Sequence, residues 1–137
     1  MIVLDTSALS QVFRRPAGAG AVHPVVGLFR ALVDADEDLR VPGLVLQELL
    51  SGVRTERDFV RLDEALSGFP LMLADAGTHR RAAKVRNACR AGGVAAAAFD
   101  SLLAAHCLEH DAALLTLDHD FLPMQPLVGL RLMPISE

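Results

Sequence analysis

A few acidic residues stand where a carboxylate is out of place. Asp5 closes the apolar run Ile2-Val3-Leu4, and Glu48 interrupts Val45-Leu46 and Leu49-Leu50. Asp100 follows Phe99 where a helical pattern begins, and Asp118 and Asp120 follow Leu114-Leu115-Thr116-Leu117. Carboxylates in apolar surroundings lose hydration and repel one another. A hard divalent cation such as Mg²⁺ or Mn²⁺ offsets both costs, because it prefers oxygen ligands. Held in this way, a cation activates water and stabilises the leaving oxygen of a phosphodiester; two cations serve both sides of the displacement. Such chemistry needs carboxylates that converge from separate elements, and Asp5, Glu48, Asp100 and Asp118 are far apart in sequence. Each also has a purely structural use. Asp5 and Asp100 can cap the helices that follow them, Glu48 can be an exposed helix position, and Asp118 with Asp120 can form an Asx turn.

The elements that must position these acids are legible from apolar periodicity and breakers. Ile2–Asp5 predicts a buried strand and Thr6–Arg14 a short helix, stopped by Arg14-Arg15-Pro16 because the residue before proline avoids the helical region. Pro16–Ala21 is expected to be a Gly/Ala loop. Helical spacing over Pro24–Ala35 is followed by an acidic turn, Asp34–Asp38, and a strand, Leu39–Val41, closed by Pro42-Gly43. Leu44–Val53 predicts a helix. Thr55 caps the next one, which runs to about Ser67, with Glu56 and Asp58 in its first turn. Leu71–Leu73 is a third strand, and Asp75–Ala91 a long Arg-rich helix stopped by Gly92-Gly93. Phe99–His110 is a further helix, Ala113–Thr116 a fourth strand, and Leu130–Met133 a fifth at a sheet edge, given Pro134. Strands alternating with helices predict an α/β fold, a mostly parallel sheet of four to five strands with helices on both faces. Sites in such sheets gather at the carboxyl ends of the strands.

Composition narrows the class. The 137 residues suit one domain spanning 1–137, with a core that needs no staple. The chain is 52% hydrophobic, yet its longest apolar stretches fall far short of the roughly 18 residues of a membrane span. The surplus is therefore expected at a subunit or partner interface, and no membrane association is expected. The opening Met1-Ile2-Val3-Leu4-Asp5 shows neither a basic n-region nor a cleavage site, so a cytoplasmic protein is expected. Cys89 and Cys107, both in helical patterns, fit reduced thiols. A net charge of −4 argues against a broad nucleic-acid footprint. It leaves a nuclease open, because metal-binding carboxylates themselves add negative charge.

Four segments carry a family resemblance: Ile2-Val3-Leu4-Asp5-Thr6-Ser7-Ala8-Leu9, Val45-Leu46-Gln47-Glu48-Leu49-Leu50-Ser51-Gly52, Phe99-Asp100-Ser101-Leu102-Leu103-Ala104-Ala105, and Leu114-Leu115-Thr116-Leu117-Asp118-His119-Asp120-Phe121. In order and spacing the chain resembles the PIN-domain family, and most of all the VapC-type toxins of bacterial toxin–antitoxin pairs. The resemblance covers essentially the whole chain. It implies a Mg²⁺-dependent endoribonuclease acting on RNA, usually a homodimer, silenced by a cognate antitoxin. The family acids fall on Asp5, Glu48, Asp100 and Asp118, with Asp120 an alternate or supporting acid and Thr6 and Thr116 at positions that usually support the site. Pro42-Gly43 departs from the Ser/Thr more usual before the second motif's helix.

Other features carry less. His106 and His110 have zinc-compatible spacing, but no second ligand pair lies near in sequence, so exposed histidines are expected. His119 is expected to be a bystander. Arg80, Arg81, Lys84, Arg86 and Arg90 stud the long helix, as a solvated face or as a strip toward RNA or a partner. An aspartate-nucleophile phosphatase would want an acid two residues after Asp5, where Ser7 stands. A phospho-receiver would want an early acidic pair, which is missing. A PIN fold kept only for binding, or a nuclease acting on DNA, are the remaining alternatives.

Overall fold

The computed structural model describes residues 1–14 and 20–136; most of the loop expected at Pro16–Ala21 lies outside the described residues. Five parallel strands form one sheet: β1 (Ile2–Leu4), β2 (Leu39–Pro42), β3 (Leu71–Met72), β4 (Ala113–Leu115) and β5 (Arg131–Leu132), in the order β3-β2-β1-β4-β5. β1 is central, with Ile2 opposite both Leu39 and Ala113. Its three residues are all buried, which is why it reads as an unbroken apolar run and not as an alternation.

The helices are α1 (Thr6–Phe13), α2 (Pro24–Asp34), α3 (Gly43–Leu50), α4 (Glu56–Leu66), α5 (Ala76–Ala91), α6 (Ala98–His110) and α7 (Gln125–Val128), with a 3₁₀ segment at His119–Met124. Their packing falls into two sets. α1 packs on α2 and α3, and α3 on α4; α5 packs on α6 and α7. The chain walks from β1 to β3 through the first set and returns across the sheet to β4 and β5 through the second. Right-handed crossovers then place the two sets on opposite faces. The core between them includes Val3, Leu4, Leu9, Leu49, Leu103, Leu114, Leu115 and Phe121.

The expected α/β architecture, with five parallel strands and helices on both faces, is the observed one. Four local expectations are corrected. α3 ends at Leu50 and not Val53, because Ser51 is extended and Gly52 sits at φ +85°. The 3₁₀ segment and α7 fall between the expected fourth and fifth strands, where no element was expected; Pro123 lies inside the 3₁₀ segment. Pro126 falls in the first turn of α7, where proline costs no hydrogen bond. Asp100 does not cap α6: Ala97 holds that position, and Asp100 lies inside the first turn. Finally, His106 is buried, not exposed, at 2% accessibility.

Candidate functional site

The strand order reverses direction between β1 and β4, and the crevice above such a point is where parallel sheets bind ligands. Asp5 stands at the end of β1. Its backbone N–H donates to the Leu115 carbonyl at 3.0 Å, which ties the β1 exit to that of β4. Asp5 is buried, at 5% accessibility. Its Oδ1 accepts the Thr6 N–H at 2.8 Å, so Asp5 does cap α1. Its Oδ2 accepts the hydroxyls of Ser7 at 2.8 Å and Thr116 at 2.6 Å.

Each of those hydroxyls also accepts a backbone N–H from the segment leaving β4. Leu117 donates to Ser7 Oγ at 2.9 Å and Asp118 to Thr116 Oγ1 at 3.0 Å. Ser7 and Thr116 thus clasp the two strand ends together and fix where Asp118 begins. Asp118 in turn accepts the Asp120 N–H on Oδ1 at 2.9 Å, capping the 3₁₀ segment. The Asx-turn reading of Asp118 and Asp120 therefore holds, and the turn is what brings both carboxylates to one side.

Asp100, in the first turn of α6, meets them there. Carboxylate oxygens of Asp100, Asp118 and Asp120 lie within 4.8 Å of one another. Asp5 and Glu48 fall outside that trio. Burial, followed by the negative charges of Asp118, Asp5, Asp120 and Glu48, pushes the Asp100 carboxyl up to about 6. Asp100 is therefore within electrostatic reach of every acid singled out in the sequence. Glu48 is the outermost: it is an exposed position on α3 and has the smallest influence of the four on Asp100. α3 begins from Pro42 without a side-chain cap, the consequence of the Pro42-Gly43 departure.

Of the two threonines, Thr116 holds the clasp through its hydroxyl. Thr6 contributes only its N–H, and its own buried hydroxyl has no hydrogen-bond partner. Ser7 is the residue that sequence reasoning passed over as a positioning group. Its bonds reach 109 and 110 residues away, a distance that local pattern does not reveal. His119 is exposed and shares a cavity of about 450 Å³ with Asp118, Thr116 and His23.

The donor set is entirely carboxylate oxygen. That is the chemistry of a hard cation and not of zinc or copper sites, and the charge piled on Asp100 is what such a cation relieves.

A family model for the PIN domain matches residues 2–124. The chain belongs to the PIN-domain family. Within it, the chain is 32% identical over 123 residues to Ribonuclease VapC11 of Mycobacterium tuberculosis (strain ATCC 25618 / H37Rv), covering 88% of this chain and 89% of that protein. Among solved structures, FitAcB from Neisseria gonorrhoeae is similar with a TM-score of 0.75 at 22% identity, over 98% of this chain and 97% of that one. VapBC2 from Rickettsia felis, bound to a DNA fragment from its promoter, gives 0.76 at 20% identity, over 99% and 100%. At these identities the solved structures speak for the fold. Among the described residues, no helix is long and apolar enough to cross a membrane.

Proposed function

We propose that this protein is a metal-dependent endoribonuclease, the toxin of a toxin–antitoxin pair, acting in the cytoplasm as a homodimer until a cognate antitoxin silences it. The observation that carries the reading is the meeting of Asp100, Asp118 and Asp120 within ligand distance, beside Asp5 and Glu48, in a chain 32% identical to a protein named a ribonuclease.

Asp5, Asp100, Asp118 and Glu48 are the proposed catalytic acids, with Asp120 available as an alternate ligand. Mg²⁺ or Mn²⁺, when bound there, supplies Lewis acidity: it offsets negative charge on a phosphodiester and makes a nearby water easier to deprotonate. The residues supply the rest. Asp100, Asp118 and Asp120 present oxygens from two elements toward one point. Asp5 has both oxygens engaged by fixed donors, so its direction is set before any ligand arrives. Ser7 and Thr116 hold the β1 and β4 exits in register, which fixes the spacing between Asp5 and Asp118.

The test is cleavage of single-stranded RNA by purified protein, with Mg²⁺ or Mn²⁺ against EDTA, beside the Asp100→Asn variant. Cleavage that needs the cation and vanishes in the variant supports the reading. Metal-independent cleavage, or full cleavage by Asp100→Asn, overturns it. Cleavage of DNA in place of RNA would move the chain to the other nuclease class, and binding without cleavage would make it a non-catalytic PIN subunit.

A further inference from the structure

We propose that Arg86 and Arg90 of α5 form a phosphate-binding groove, which carries single-stranded RNA up to the acidic cluster. The proposal rests on the ribonuclease reading and locates its substrate.

α5 contains five of the chain's thirteen basic residues and no acid, although the whole molecule carries −4. The structure divides those five. Arg80, Arg81 and Lys84 line a cavity shared with α7. Arg86 and Arg90, with Asn87, line a different cavity of about 480 Å³ whose far wall is the start of α6, including Phe99 and Ser101. Those two residues flank Asp100 in sequence. Leu44 closes the same cavity from α3, and Glu48 lies one helical turn beyond Leu44 on the same face. The groove therefore reaches the first turn of α6, the helix that carries Asp100, and the start of α3, the helix that carries Glu48.

Its chemistry suits a polyanion. No acidic residue lines it, nor the smaller adjoining cavity that Arg86 and Arg90 share with Val94 and Ala96. The ion pairs among the described residues are Arg40–Asp38 and Arg131–Asp111, so neither groove arginine is in one. Arg86 is pre-oriented: its Nε donates to the Ala96 carbonyl at 3.0 Å, which leaves its two terminal amino groups for a phosphate. Arg86 and Arg90 are four residues apart on one helix, and so neighbours on one face at about 6 Å between Cβ atoms. Phe99 gives the groove a half-buried aromatic wall, against which a base can stack. A cluster of carboxylates repels RNA, so cations beside it are what a strand needs in order to enter.

The experiment measures binding of a fluorescein-labelled, mixed-sequence single-stranded oligoribonucleotide by anisotropy across a range of KCl, in the Asp100→Asn background so that the strand stays intact. Cleavage by the otherwise wild-type protein and its Arg90→Ala form is followed in parallel. Adding Arg90→Ala is expected to weaken binding about tenfold and to reduce the slope of log K against log[salt] by about 0.7, the loss of one single-strand phosphate contact. Arg86→Ala should act in the same direction, and cleavage should suffer in KM more than in kcat. Arg81→Ala with Lys84→Ala, on the other cavity, should change neither affinity nor slope. Unchanged affinity and slope in Arg90→Ala, in a protein that still cleaves RNA, overturns the groove and leaves the ribonuclease reading standing. An equal loss from the Arg81 and Lys84 pair also overturns it, as does an Arg90→Ala effect confined to the monomer–dimer equilibrium. RNA neither bound nor cut by the wild-type site overturns both readings together.

Discussion

At the scale of single residues, the site is a balance between carboxylates that repel and hydroxyls that hold them in place. Asp100 bears the repulsion, its carboxyl pushed up to about 6 by burial and four negative neighbours. Asp100→Asn removes one charge and keeps the volume. Without metal, at neutral pH, the variant is expected to melt at or above the wild-type temperature, with a gain of about 1 kcal/mol or less once solvent screening is allowed for. It should gain less than wild type from added Mg²⁺ or Mn²⁺, since stabilisation by a ligand follows its affinity for the native state. Thermal melts in EDTA and across a metal titration check both. Equal metal stabilisation of the two proteins would remove Asp100 from the ligand set. Thr116 tests the clasp. Thr116→Val keeps the shape, deletes the donor to Asp5 and leaves the Asp118 N–H unpaired. The expected cost is about 1–3 kcal/mol, with cleavage reduced about tenfold or more through misplaced acids. Thr116→Ser, which keeps the hydroxyl, should recover most of the activity. A fully active Thr116→Val would show that the clasp positions nothing.

At the scale of elements, the α5–α6 pair sets where Asp100 sits. Thr78 near the start of α5 donates to Glu109 near the end of α6, and Arg86 reaches the Ala96 carbonyl just before α6, so the two helices run antiparallel. His106 is buried on α6 with its Nδ1 unpartnered. Burial lowers its pKa from 6.5; Glu109 opposes this, while His110 and His79 add to it. The unfolded chain therefore binds the proton more readily than the folded one, and His106 withdraws stability as pH falls below about 6.5. Asp100 contributes the opposite sign at acid pH, so the readout is a difference between proteins. His106→Leu should gain on wild type in urea unfolding as pH drops from about 7 toward 5. A constant difference across that range would show that His106 is not the group that titrates.

The same element scale shows what the sequence could reveal. β1, β2 and β4 were legible because strands buried between two helical layers are short apolar runs, and α5 because Gly92-Gly93 follows a long polar-faced pattern. The acids were legible as polar residues in apolar context. Asp5 and Asp100 look alike in that respect, yet one caps its helix and the other lies inside the first turn, because cap position depends on where the backbone turns helical and Ala97 gives no side-chain signal. The partnership of Ser7 with Leu117 and Thr116 is set by the pairing of β1 with β4, so it becomes visible only when the sheet is assembled. The burial of His106 was missed because its spacing with His110 suggested a shared outer face, whereas α6 is buried along most of its length from Ser101 to Cys107.

At the scale of the whole molecule, several large apolar side chains remain open to solvent. Leu71 and Leu73 are 47% and 73% exposed, and both lie at β3, an edge of the sheet. Phe59 and Val60 on α4 are also open to solvent. An edge strand with exposed leucines invites pairing unless something covers it. A stable interface takes about 800 Å² from each partner, roughly a tenth of the 7825 Å² exposed here. We expect the protein to associate, with the β3 edge inside the contact and a further apolar surface left for the antitoxin. Sedimentation at tens of micromolar should give twice the monomer mass, and Leu73→Asp should shift the equilibrium toward monomer. Because Leu73 is 73% exposed, the variant should keep its fold and its thermal response to Mg²⁺. Clean monomer for the unmodified chain, with no partner bound, would contradict the association. A dimer untouched by Leu73→Asp would place the contact elsewhere, with the α4 face carrying Phe59 and Val60 as the next surface to change.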